Sequence, residues 1–160
     1  MYNLQDELEH QFEMVFKLVE QAIDHGDAAL WGSIDDGWSY AYRLFHLLES
    51  IDFYLHDQPQ GFVFGGRLGV NSREMPREEY LKLIGSQNKN LFAKYLDEIR
   101  TATKLMLKLE PQILQSQDKF SEWGFKSRQH KFNYVLMHST YHLGELSYHL
   151  KLHDMEHMKW

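Results

Sequence analysis

Ten histidines lie in 160 residues, and their spacing is where this chain could do chemistry. Random placement would give about 0.6 pairs four residues apart. Three occur: His138 with His142, His149 with His153, and His153 with His157. A spacing of four stacks two imidazoles on adjacent turns of one helix face, which is how a helix offers two nitrogens to one metal ion. At about 100° per residue, His138, His142, His149 and His153 fall within roughly 60° of one another. They lie between an aliphatic side and an aromatic side carrying Tyr134, Tyr141 and Tyr148, so the stripe is expected to face inward. A buried imidazole without a partner costs roughly 1 to 3 kcal/mol. A metal ion is one such partner; a network of tyrosines and water is another. His46 stands in the middle of a separate apolar stretch, Tyr42-Arg43-Leu44-Phe45-His46-Leu47-Leu48-Glu49. If the two segments pack side by side, His46, His138 and His142 make a three-nitrogen site with positions left for water or substrate.

Four long helices can position these residues. Leu4, Leu8, Phe12, Val15, Val19 and Ala22 recur at intervals of three and four, a stripe that Gly26 can terminate. A second helix is expected from about Trp38 to His56, with Asp35 and Asp36 near its positive end. A third, capped by Ser86, carries Phe92, Tyr95, Leu96, Ile99, Ala102, Met106 and Leu109 and runs until Pro111. The fourth, from about Ser127 to Leu152, places Phe132, Val135, Leu136, Leu143, Leu146 and Leu150 on one side. Segments 26–37 and 111–126 are short connections. Asp57 to Arg77, with Gly61, Gly65, Gly66 and Gly69 and two of the three prolines, reads as a long crossover that could cover a site mouth. A brief helix from Arg77 to Ile84 follows it. The expected fold is all-α: one domain over residues 1–160, a four-helix bundle with a long crossover between helices two and three.

Several function classes are disfavoured. The net charge is -6, and residues 1–80 carry 5 basic against 15 acidic groups, which argues against a nucleic-acid partner held by phosphate contacts. The longest uncharged stretch, Phe132 to Gly144, is too short and too polar to span a membrane. Without cysteine the chain has no disulfide, thiolate ligand or cysteine nucleophile of its own. The first residues lack a basic segment followed by an apolar run, so a cytoplasmic location is expected. Glu7-x-x-His10 is the only Glu-x-x-His, whereas a di-iron bundle needs two. There is no His-Glu-x-x-His, Walker loop, dinucleotide fingerprint or Gly-x-Ser-x-Gly elbow.

His46-Leu47-Leu48-Glu49 and His138-Ser139-Thr140-Tyr141-His142-Leu143-Gly144-Glu145, at these ends of a four-helix chain, resemble the DinB-like or YfiT-like family of metal-dependent proteins. Trp160 also resembles the Trp that often closes such chains. The resemblance implies a metal on His46, His138 and His142, nickel or zinc, in a homodimer. Glu49 and Glu145 are candidates for orienting an imidazole or bound water. Tyr42, Phe45, Tyr134 and Tyr141, with Trp38 and Phe53, are candidates for an aromatic pocket wall, although bundle packing would use the same rings. A divalent ion on three neutral imidazoles keeps its full charge and can lower the pKa of bound water or hold a thiol as thiolate. Some members of that family are similar to S-transferases using a low-molecular-weight thiol. The resemblance therefore implies a metal-dependent thiol S-transferase-like enzyme acting on a small molecule, with a metal-dependent hydrolase or a non-catalytic metal-binding stress protein as alternatives.

Overall fold

The computed structural model describes residues 3–35, 37–109 and 111–159. It is mostly helical: α1 (Leu4–His25), α2 (Ala28–Trp31), α3 (Tyr40–Leu55), α4 (Arg77–Gly85), α5 (Lys89–Leu107), α6 (Pro111–Gln115) and α7 (Arg128–Leu152). One two-residue antiparallel ladder joins β1 (Ile34–Asp35) to β2 (Trp38–Ser39), with Ile34 opposite Ser39.

Each long helix starts where a side chain can accept an otherwise unpaired N–H of the first turn. Asn3 accepts from Gln5, Ser39 from Tyr42, Asn88 from Leu91 and Ser127 from His130. One of these caps and one helix start differ from the sequence-based expectation. Helix two begins at Tyr40 because Trp38 and Ser39 are spent on the ladder, which also takes Asp35; Asp36 lies outside the described residues. Helix three starts after Asn88, since Ser86 closes α4 by donating its hydroxyl to Leu83 O. That helix ends at Leu107, and Pro111 opens α6 instead of following a longer helix.

α1 packs against α5 and α7, and α3 packs against α7, α5 and α4. The residues that meet reveal direction. Tyr54 touches Tyr134, His46 touches His142 and Arg43 pairs with Glu145, so α3 and α7 are antiparallel. Glu13 pairs with Lys104 and Glu20 with Arg100, so α1 and α5 are antiparallel too. α1 and α7 rise together, from Phe12 against Phe132 to His25 against Glu156 just past the helix. α3 and α5 therefore run the same way, which a short connection cannot achieve.

Between α3 and α4 the chain makes a 3-10 turn, Gly66–Leu68. Gly65, just before it, is buried at φ +86°, and a Cβ there would lie 3.1 Å from Val70 O, so only glycine fits without strain. Phe62 to Phe64 forms no strand; Phe62 and Phe64 instead pack their rings on Phe53. At the α1 end, Gly26 lets Tyr40 approach: a Cβ would stand 2.7 Å from the ring, whose hydroxyl donates to Ala22 O at 2.8 Å. No helix of the described residues is long and apolar enough to cross a membrane.

Candidate metal centre

α3 is buried on nearly every side, because α4, α5 and α7 surround it, and His46 occupies the stripe facing α7. From α7, His138 and His142 project one turn apart toward it. The ring centroids of His46 lie 5.7 Å from His138 and 4.9 Å from His142, and those of His138 and His142 lie 4.5 Å apart. One ring nitrogen from each of the three falls within 4.8 Å of the others, a group that could hold a metal ion. His138 Nε2 and His142 Nε2 are 3.2 Å apart. Two nitrogens bound tetrahedrally at zinc distances stand about 3.3 Å apart.

Electrostatics favour the ligating form. Burial, reinforced by the charges that His142 and His138 would carry, pushes His46 down to about 4, against a weaker upward pull from Glu145. Burial likewise lowers His138, followed by His142. Both rings are neutral near pH 7, with a lone pair free for coordination.

Each of these two imidazoles is backed by the tyrosine one turn before it. Tyr42 stacks on His46 (6.0 Å, 6°) and Tyr134 on His138 (5.8 Å, 16°), as the i, i+4 spacing dictates. Trp38 extends the first stack (4.5 Å to Tyr42), and the Arg77 guanidinium closes it 3.8 Å above Trp38. His142 is held differently. Its Nδ1–H donates to Glu145 Oε2 at 2.7 Å, and Glu145 Oε1 meets Arg43 Nη1 at 3.0 Å. A carboxylate on the far nitrogen sets which tautomer and which edge of the ring face the site.

A cleft of about 300 Å³ opens beside the imidazoles, lined by Trp38, Tyr42, Arg43, His46, Tyr141, His142 and Glu145. Tyr141 stands at its mouth, 64% exposed, with its ring edge on His142.

No family model, curated protein or solved structure matches this chain.

Among the candidate site residues of the sequence, His46, His138, His142, Glu145, Tyr42 and Tyr141 come together, and Tyr134 backs His138 from outside the cleft lining. Phe45 does not join them: it is wholly buried with its ring against Phe92 and Tyr95, on the side of α3 that meets α5. Glu49 also turns elsewhere, accepting the Gly65 N–H at 2.6 Å and the Tyr80 hydroxyl at 3.3 Å. Of the crossover glycines, Gly61 and Gly66 line a separate cleft with Glu49, Asp52 and Arg67, and none lines the cleft beside the histidines. The inward stripe holds for His138, His142 and His149 but fails at His153, which is exposed where α7 ends. Among the described residues, His149, His153 and His157 form no ligand group. Trp160 lies outside the described residues. Arg43 was missed; the available signal was the single Lys or Arg of that helix standing three residues before His46.

Proposed function

We propose that this chain is a DinB-like, or YfiT-like, four-helix bundle that holds a divalent ion, nickel or zinc, on His46, His138 and His142. It acts as a thiol S-transferase-like enzyme with a low-molecular-weight thiol. The observation that carries the reading is the convergence of one nitrogen from each of three histidines on two helices within 4.8 Å. The helix directions support the fold, because two parallel middle helices joined by a long crossover are what such a bundle needs.

When bound, the ion would supply charge that favours a thiolate over a thiol. The chain's own residues do the rest. Glu145 keeps the proton on His142 Nδ1, leaving Nε2 as the donor atom. Tyr42 and Tyr134 fix the planes of His46 and His138. Trp38, Tyr42 and Tyr141 give the cleft an apolar wall suited to the organic part of a small substrate. With no cysteine in the chain, a reacting sulfur has to come from a ligand.

The same reading makes the protein a cytoplasmic homodimer. Met137, Tyr141, Tyr148 and Leu152, all exposed, recur along one face of α7 and support a second copy there. Light scattering that gives a monomer mass would remove that part.

Cobalt-substituted protein titrated with a low-molecular-weight thiol tests the chemistry. A new near-ultraviolet charge-transfer band that His142→Ala abolishes supports the transferase. If no thiol perturbs the spectrum while esters or amides turn over with a rate rising near pH 7, the hydrolase replaces it. Silence in both assays leaves a metal-binding protein without catalysis.

A further inference from the structure

A carboxylate bridges Arg43 and His142, and the bridge occupies a particular level of the α3–α7 contact. Arg43 stands three residues before His46 on α3, and Glu145 three residues after His142 on α7. Because the helices are antiparallel, the ion pair Arg43–Glu145 forms a rung directly beside the His46–His142 rung. Arg43 is only 5% exposed. A guanidinium placed so deep is costly unless paired, and here a cation lies beside a cluster meant for another cation. The order of groups resolves the conflict: Glu145 lies between Arg43 and His142, with one oxygen on each.

Glu145 alone would orient His142 poorly. Its side chain is about a quarter exposed, and a glutamate at the edge of a helix samples several rotamers. Fixing one oxygen on a buried, planar donor removes that freedom and aims the other oxygen at Nδ1.

We propose that Arg43 is a positioning residue for the metal site: through Glu145 it holds His142 in the Nδ1–H tautomer, with Nε2 aimed at His138 and His46. The proposal rests on the metal reading above for its purpose, but its geometric content concerns only this chain's side chains.

The test uses the full chain as wild type, Arg43→Gln, Arg43→Lys, Glu145→Ala and the double variant Arg43→Gln/Glu145→Ala. Zinc and nickel affinities come from competition with a chromophoric chelator, and the His142 tautomer from nitrogen-15 shifts of the ring. Arg43→Gln and Glu145→Ala should each weaken metal binding by roughly ten- to a hundredfold, the usual effect of removing a group that orients a ligand. The double variant should be no weaker than the worse single, because the two side chains act as one unit. Arg43→Lys should recover part of the loss. Arg43→Gln should also shift His142 from a proton on Nδ1 toward a mixture of tautomers, which a general loosening of packing would not do.

Affinity within about twofold of wild type and an unchanged tautomer in Arg43→Gln would overturn the proposal. If Arg43→Gln does not fold, additive losses between Arg43→Lys and Glu145→Ala, measured with their double variant, overturn it instead. Should the wild type bind neither zinc nor nickel, the metal reading fails, and the tautomer comparison still decides whether Arg43 positions His142.

Discussion

Glu49 fastens the crossover to α3 by accepting the Gly65 N–H at 2.6 Å, with the Tyr80 hydroxyl of α4 on its other oxygen. Glu49 is 3% exposed, and Gly65 reaches it only because its backbone is left-handed. One buried carboxyl thus anchors the segment that lets α3 and α5 run parallel. The Tyr80 ring also rests edge-on against Tyr42, which in turn stacks on His46, so α4 reaches the histidine cluster through Tyr42.

This carboxyl makes stability depend on pH. Burial pushes Glu49 up to about 7, aided by the charge of Asp52 and opposed by the bonds from Gly65 and Tyr80. A carboxyl raised in the folded state stabilises fully below its unfolded value of about 4.5, and the contribution is lost as pH rises through about 7. Urea unfolding from pH 5 to pH 8 should therefore show wild type losing roughly 2 to 3 kcal/mol relative to Glu49→Gln, whose amide still accepts from Gly65. Parallel pH profiles for the two proteins would contradict the buried, raised carboxyl.

Metal content should depend on three residues from two helices, because a three-ligand site that loses one imidazole keeps too few donors for tight binding. His46→Ala, His138→Ala and His142→Ala should each sharply lower the bound zinc or nickel measured by elemental analysis after dialysis. His149→Ala and His153→Ala should leave it unchanged, since neither belongs to the ligand group. Retained metal in the first three variants would sink the site.

The four long helices and the three histidines were legible in the sequence because a 3.6-residue period places side chains on a face without any tertiary information. What that period cannot reach is the partner across an interface. Glu49 and Glu145 each stand three residues after a site histidine, yet Glu145 turns to His142 and Glu49 to the crossover. The difference comes from Gly65, whose backbone conformation offers an N–H at a place no spacing rule locates. Phe45 was misread for a related reason. α3 is covered on almost every side, so an aromatic on it has no preferred direction until the neighbours are known. The cap of α5 moved two residues, from Ser86 to Asn88, and α3 began at Tyr40, two residues later than expected, because Trp38 and Ser39 pair with β1.

Duplex DNA should not bind at physiological salt. The first half of the chain carries a net charge of -10, from 5 basic and 15 acidic groups, and would be repelled by phosphate. A fluorescence-anisotropy titration giving a sub-micromolar, salt-resistant complex would show otherwise.

Lys131 and Asp118 supply the last expectation. Lys131 is 1% exposed; its ammonium donates to Asp118 Oδ2 and to His56 O at 2.8 Å, and lies 4.5 Å over the Phe120 ring. It ties the start of α7 to the end of α3 and to the segment before α7, joining the two helices that carry His46, His138 and His142. Burial lowers the Lys131 pKa, and Asp118 opposes that shift. Removing Asp118 alone strands a buried charge, a change that costs about 3 to 5 kcal/mol. Removing both charges while keeping an apolar stem leaves no such charge behind. Asp118→Ala should therefore be more destabilising in urea than Asp118→Ala/Lys131→Met, even though the double variant has lost more groups. If the double variant is the weaker protein, the pair contributes net stability beyond mutual neutralisation, and the account of Lys131 as a charge tolerated only because it is paired is wrong.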